Sequence, residues 1–260
     1  MAHQNLPVHN VCMGSSRADS TNLPGLMLQW LRDSLRQRGA WGTVKTFGEQ
    51  FGLFVRDSFP DRRRSRFGDI DYDCDFGVDT TWARLPLRVR LRELFTERLY
   101  QPTDPTEFHD VLAQVPADFS DFAFIDLGSG KGRALLLASG YPFREIIGVE
   151  VQPELNRIAQ ENIMRFPVDG RLCRSISSLC MDARQFQFPD EPILLYLFNP
   201  FPDYVLREVM TNFETSLRKQ PRPAFVIYNT PMELHVVDTM DYLEEIHSRE
   251  NFRIYRSNLR

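Results

Sequence analysis

The chain reads as an α/β protein, a mostly parallel sheet with helices on both faces behind a helical N-terminal region. Three observations predict it. From Phe122 onward, short apolar runs alternate with stretches whose apolar residues recur at helical spacing, the signature of β-α-β units. The first of these runs empties into a glycine-rich turn that opens a helix. Finally, 260 residues at 42% hydrophobic and 25% charged can bury one large core and exclude a disordered or fibrous chain.

Taken in order, Leu26, Leu28, Trp30, Leu31 and Leu35 predict a short amphipathic helix that ends near Gly39 and Gly42. Five arginines (Arg56, Arg62, Arg63, Arg64, Arg66) then precede five aspartates (Asp69, Asp71, Asp73, Asp75, Asp79), and such adjacent opposite runs are expected in solvated loops. Leu87, Leu91, Leu94, Phe95 and Leu99 predict a helix stopped by Pro102. Strands are expected over 122–127, 146–151, 176–181, 193–198, 225–228 and 252–255, and helices over 132–139, 153–165, 204–218 and 232–245. Pro153 and Pro231 suit first helical turns, and Asp203 suits an N-cap. The expected division is a helical and loop cap over 1–118 and a ligand-binding domain over 119–260.

The sharpest feature is Phe124-Ile-Asp126-Leu-Gly128-Ser129-Gly130-Lys-Gly132-Arg133. Its glycines let the backbone approach a ligand where a side chain would collide, and open α/β sheets bind ligands at the carboxyl ends of their strands. Glu150, at the end of the next apolar run, is placed to accept hydrogen bonds from a ribose diol. The spacing is G-x-G-x-G, which is not the G-x-G-x-x-G of a dinucleotide site, and no G-x-x-x-x-G-K-[ST] phosphate loop is present. Asp126, two residues before the first glycine, would repel a diphosphate and attract a cationic amino-acid ligand. S-adenosylmethionine, with a sulfonium and an ammonium, fits better than NAD.

From about Tyr100 to the C-terminus the chain resembles the class I S-adenosylmethionine-dependent methyltransferases. Asp126-Leu-Gly128-Ser129-Gly130-Lys-Gly132 is similar to their first motif, Gly148-Val-Glu150 to the acidic ribose-binding position, Met181-Asp182-Ala183 to the adenine-binding segment, and Asn199-Pro200-Phe201 to the fourth motif. The resemblance implies a Rossmann-like sheet whose last two strands run antiparallel to one another, and Asp182 accepting from the adenine amino group. A finer resemblance is to the seven-strand, non-SET protein-lysine methyltransferases, which share the Tyr-x-Pro-Thr element, here Tyr100-Gln-Pro102-Thr103. It implies that Tyr100 and Thr103 close over the methionine end of the cofactor. Phe198-Asn199-Pro200-Phe201 matches neither the Asn-Asn-Phe of the histone enzymes nor the Asn-Pro-Pro-Tyr of the adenine methylases, so the substrate is not carried over.

Methyl transfer to an amine needs the neutral nucleophile held in line and its hydrogens accepted. The side-chain carbonyl of Asn199 and the carbonyl of Pro200 are the expected acceptors, with Phe201 or Phe198 excluding water. An amine or protein lysine is the expected methyl acceptor. A small-molecule or RNA methyltransferase, and a non-catalytic cofactor-binding protein, stay open as alternatives. The net charge of −4 argues against broad nucleic-acid binding, although the arginine run could meet an acidic substrate or RNA.

Calcium is not expected at the aspartates, because Cys74 and Thr80 stand where a calcium loop needs glycine and glutamate. Residues 72–81, polar and aromatic just ahead of the cofactor domain, are read as a lid or substrate wall. No metal site is expected from His3, His9, His109, His235 and His247, though His235 could reach the sheet edge as a base. Cys12, Cys74, Cys173 and Cys180 are read as reduced thiols. No apolar run approaches a membrane span and no leader pattern opens the chain, so the expected location is the cytoplasm.

Overall fold

The computed structural model describes residues 23–56, 70–81, 85–96 and 100–259. The arginines 62–66, Asp69, Leu99, Cys12, His3 and His9 lie outside the described residues. Seven strands form one sheet in the order β3-β2-β1-β4-β5-β7-β6. They are β1 (Ala123–Leu127), β2 (Glu145–Glu150), β3 (Ile176–Cys180), β4 (Ile193–Phe198), β5 (Ala224–Asn229), β6 (Leu243–Ser248) and β7 (Phe252–Ser257). β1 to β5 pair in parallel, while β7 is antiparallel to both β5 and β6. The expected antiparallel last pair is therefore present.

β1 is buried at every position and β4 at all but its last. Central parallel strands covered on both faces read as unbroken apolar runs, which is why these two were legible. The pleat still sorts them. Phe124, Leu194 and Tyr196 point to one core, with α4 (Pro105–Leu112) and α5 (Arg133–Ala138). Ala123, Ile125, Leu195 and Leu197 point to the other, with α7 (Asp203–Lys219). On α7 the buried residues Leu206, Val209, Met210, Phe213 and Leu217 form one stripe. Each stabilises the sheet by about 1.5–3 kcal/mol.

The helix over 23–56, α1, is broken at Gly39 (φ 68°, ψ 177°), the stop expected from the sequence. A second helical segment follows and folds back. The rings of Trp30 and Phe47 lie 6.0 Å apart, where a straight helix would separate them by about 25 Å. Both reach Phe95 on α3 (Leu87–Thr96).

Several expectations need correction. Residues 70–76 form a helix, α2 (Ile70–Phe76), where a solvated loop was expected, because Asp73 is held from outside the segment. The expected helix over 232–245 is only α8 (Leu234–Val237), followed by β6. Val236, Met240 and Leu243 imitate helical spacing, yet Tyr242 is buried with its hydroxyl donating to the Met210 carbonyl, and the chain then extends along β7. Asp203 opens α7 as its first residue, and Pro202 stands at the N-cap. α6 (Pro153–Arg165) begins at Pro153 as expected. Cys74 and Cys173 are free thiols, but Cys180 is disulfide-bonded, since the small cysteine count excludes a disulfide framework and not a single bridge. No described helix is long and apolar enough to cross a membrane.

Candidate active site

The carboxyl ends of β1, β2 and β4 open into a cavity of about 870 Å³, within the roughly 300–1,000 Å³ usual for small-molecule sites. Tyr100, Thr103, Asp126, Gly128, Ser129, Gly130, Glu150, Asp182, Ala183, Asn199, Pro200 and Phe201 all line it. Gly132 does not. It sits at the N-cap of α5, where an added Cβ would press on Ala159, so the helix packs closely there.

Two glycines of the turn are fixed by what crosses them. Gly128 has φ +87°, and a Cβ there would stand 2.5 Å from Cβ of Pro200; at Gly130, φ +54°, it would stand 2.5 Å from the Tyr100 ring. The turn after β1 is thus pinned between the fourth-motif segment and the Tyr-x-Pro-Thr element. Tyr100 in turn donates its hydroxyl to the Thr80 carbonyl at 2.8 Å. Asn199 adopts φ 42°, which an asparagine tolerates better than most residues and which turns the chain sharply out of β4.

Two buried acids face this space. Glu150 accepts from the Gly130 and Gln152 amides at 2.9 and 2.8 Å, which shapes the turn and leaves each oxygen a free lone pair. Burial raises its pKa against those bonds. Asp126 is only 4% exposed, and no donor among the described residues bonds it. Burial first and Glu150 second push its pKa up to about 8. A cationic group entering the cavity would supply the missing counter-charge. Asp182 differs: Arg184 grips its carboxylate at 2.6 to 3.1 Å and holds its pKa below the ordinary value. Only its remaining lone pairs are left for a ligand.

The back of the same turn carries side chains that motif reading passed over. Lys131 is fully buried, bonded to Asp79 and the Thr81 carbonyl at 2.8 Å each. Arg133 pairs with Asp73 at 3.3 Å, donates to the Thr80 hydroxyl and lies 4.1 Å from the Tyr72 ring centroid. Asn162 of α6 donates to the Asp79 and Lys131 carbonyls and accepts from the Asp79 amide. Residues 72–81 therefore brace the turn from behind and do not line the cavity. The alternation of acids in that segment was the available signal, paired with two cations in a turn already destined for burial.

The first segment of α1 lends Trp30, Asp33, Ser34 and Gln37 to the cavity wall, and α3 lends Arg92, whose charge lies close to Glu150. No motif announced them. His235 pairs with Asp203 at 3.1 Å, exposed and away from the cavity, and His109 meets the Tyr141 hydroxyl at 2.7 Å. Among the described residues no cluster of His, Cys, Asp or Glu could hold a metal.

No family model matches the chain. Over 88 residues it is 36% identical to a release factor glutamine methyltransferase of Vibrio cholerae, which covers 34% of this chain and 28% of that protein. The chain thus matches under a third of that relative's length. Solved structures similar to it include a human methyltransferase 10 domain containing protein (16% identity, 76% of this chain and 97% of that one, TM-score 0.46). Another is an RNA methyltransferase from Salinibacter ruber with S-adenosyl-L-homocysteine (18%, 61% and 93%, TM-score 0.36). In its sheet order, its glycine turn and the two acids flanking that turn, the chain has the mostly parallel, Rossmann-like seven-strand sheet that its resemblance to the class I S-adenosylmethionine-dependent methyltransferases implies.

Proposed function

We propose that the chain is an S-adenosylmethionine-dependent methyltransferase acting on nitrogen, with an amine or protein lysine as the first choice of acceptor. The observation that carries this is Asp126, a buried carboxylate without a donor, set beside a turn that leaves backbone and space for a ligand. A site of this kind fits a ligand with an ammonium and a ribose, and Glu150 keeps lone pairs for the ribose hydroxyls. When bound, S-adenosylmethionine supplies an electrophilic methyl group on a sulfonium.

The chain's own residues do the rest. Asn199 and Pro200 present carbonyls at the end of β4 that accept the hydrogens of a neutral amine and orient its lone pair. Phe198 and Phe201, both half-buried in the cavity wall, exclude water. Orientation of this sort is worth up to about 7–11 kcal/mol. The partial relative, whose name gives a glutamine as its acceptor, supports nitrogen as the methylated atom. We place the activity in the cytoplasm, in keeping with the expectation from the sequence.

The test is transfer of labelled methyl from S-adenosylmethionine to lysine-bearing peptides, glutamine-bearing peptides, small amines and RNA. Label on a peptide or amine nitrogen supports the reading. Label on RNA alone, with binding that weakens steeply in salt, replaces it with the nucleic-acid reading, and tight cofactor binding with no transfer to any class favours a non-catalytic binding protein.

A further inference from the structure

The helical hairpin of α1 carries a surface that the proposed chemistry does not use. Of the sixteen large apolar side chains exposed among the described residues, nine lie on this one helix, a concentration that marks an interaction surface and not the usual scatter. On the first segment, Met27, Leu28, Leu31 and Leu35 recur at three- and four-residue steps and share a face. It is a different face from the one that lends Trp30, Asp33, Ser34 and Gln37 to the cavity. On the returning segment, Trp41, Val44, Phe51 and Val55 form a second stripe. Trp41, directly after the break at Gly39, is 82% exposed, and Val44 is 64% exposed. Each stripe is rotated about a quarter turn, in the same sense along its own segment, from the Trp30 or Phe47 ring that joins the two. In an antiparallel pair that puts both stripes on one side of the hairpin.

Charge decides what such a surface meets. α1 bears Arg32, Arg36, Arg38, Lys45 and Arg56 against Asp33 and Glu49, and Asp33 faces the cavity. Arg32 stands one turn from Leu28 and Leu35, and Lys45 one turn from Trp41, all of them exposed. An apolar stripe edged with cations is the pattern of a helix that lies in the headgroup region of an anionic bilayer. A second copy of the chain would set these cations against one another. A folded acidic partner would need a pocket for a ring that stands out at the bend of a hairpin, whereas a fluid lipid surface takes a protruding tryptophan as it is. We propose that the α1 hairpin docks the protein on an anionic lipid surface, with Trp41, Val44 and the leucine face at the boundary of headgroups and acyl chains and Arg32, Arg36 and Lys45 at the phosphates. The contact is peripheral, since no described helix is long and apolar enough to cross a membrane. One face of α1 walls the cavity and a neighbouring face meets lipid, so docking holds that wall within about 10–12 Å, one helix diameter, of the headgroups. The proposal stands independently of the cofactor reading.

Co-sedimentation of the full chain with lipid vesicles tests it. Vesicles of equal parts phosphatidylglycerol and phosphatidylcholine are expected to bind the protein at least about tenfold more tightly than phosphatidylcholine alone, and raising salt from about 0.1 M to about 0.5 M should remove most of that difference. Arg32→Gln combined with Lys45→Gln should weaken binding to the anionic vesicles about tenfold to thirtyfold, at roughly fivefold per cation. Trp41→Ser should weaken it about tenfold and abolish a blue shift of tryptophan emission on binding. Val44→Ser, at a second exposed position, repeats the test should Trp41→Ser fail to fold. Affinity for S-adenosylhomocysteine should stay within about twofold in every variant, so that docking and cofactor binding are read separately. No binding to the anionic vesicles, or binding indifferent to these substitutions, overturns the proposal. Polyglutamate bound as tightly as the vesicles overturns it in favour of an acidic protein partner, and a lipid-free dimer in ultracentrifugation that Trp41→Ser dissolves overturns it in favour of a second copy.

Discussion

The two sides of the turn after β1 hold buried charge in opposite ways. Behind it, Lys131 and Arg133 meet Asp79, Asp73, Thr80 and the Thr81 carbonyl, so each cation is compensated within the chain. In front, Asp126 is buried with no donor among the described residues, and Glu150 is bonded to backbone amides, with the charge of Arg92 acting on it. Burying a charge is costly unless it is paired. A compensated buried charge is architecture; a buried carboxyl beside a cavity that keeps its proton up to about pH 8 for want of a partner is a site that ionises when a counter-ion enters.

Substitutions on the two sides should therefore move stability in opposite directions. The largest effect is expected behind the turn, where Arg133→Met leaves Asp73 without its cation and should cost about 3–5 kcal/mol in denaturant unfolding. A loss below about 1 kcal/mol would mean that the brace is ornamental. Next comes the chemistry at the front. Asn199→Ala should lower turnover about tenfold to a hundredfold with cofactor affinity within about twofold, since orientation and not binding is removed. Unchanged turnover removes Asn199 from the catalytic role.

A smaller effect of opposite sign belongs to Asp126→Asn. The Asp126 pKa is raised to about 8 in the folded protein from 3.8. Between those values the unfolded chain loses this proton while the folded one keeps it, so the group's contribution to stability falls as pH rises through about 4 to 8 and is level above. Asp126→Asn should remove that part of the slope and leave the ligand-free protein more stable at pH 8, by on the order of 1 kcal/mol. Affinity for a cationic ligand should rise across the same window as Asp126 deprotonates, until the ligand's own amino group loses its proton. An affinity flat from pH 6 to pH 8 would show that Asp126 carries no charge that the ligand feels. The smallest effect is expected at His235, exposed beside Asp203, where His235→Ala should change stability and turnover by less than about 0.5 kcal/mol.

What the sequence made legible follows the same division. β1 and β4 announced themselves because strands covered on both faces leave no polar position to confuse the period, and the glycine turn was readable because its φ values and close crossings admit few other residues. The front of the site was accordingly visible in the chain, down to Asp126 and Glu150. The back was not. Asp73 and Asp79 look like solvated acids until the fold carries them to Lys131 and Arg133, some fifty to sixty positions away. β6 was hidden for a related reason. An edge strand buries one side only, and Val236, Met240 and Leu243 counted as a helix until pairing with β7 decided otherwise. Gly132, read as a ligand glycine, does not line the cavity, and a Cβ there would stand 3.2 Å from Cβ of Ala159.

The measurement that tests the central claim most directly is a calorimetric titration of the purified protein with S-adenosylmethionine and, separately, with NAD, alongside Asp126→Asn. The account predicts micromolar binding of the methyl donor, little or no binding of NAD, and a loss of at least about tenfold for the donor in a variant that remains folded. Tight NAD binding, or donor binding indifferent to Asp126, would contradict it.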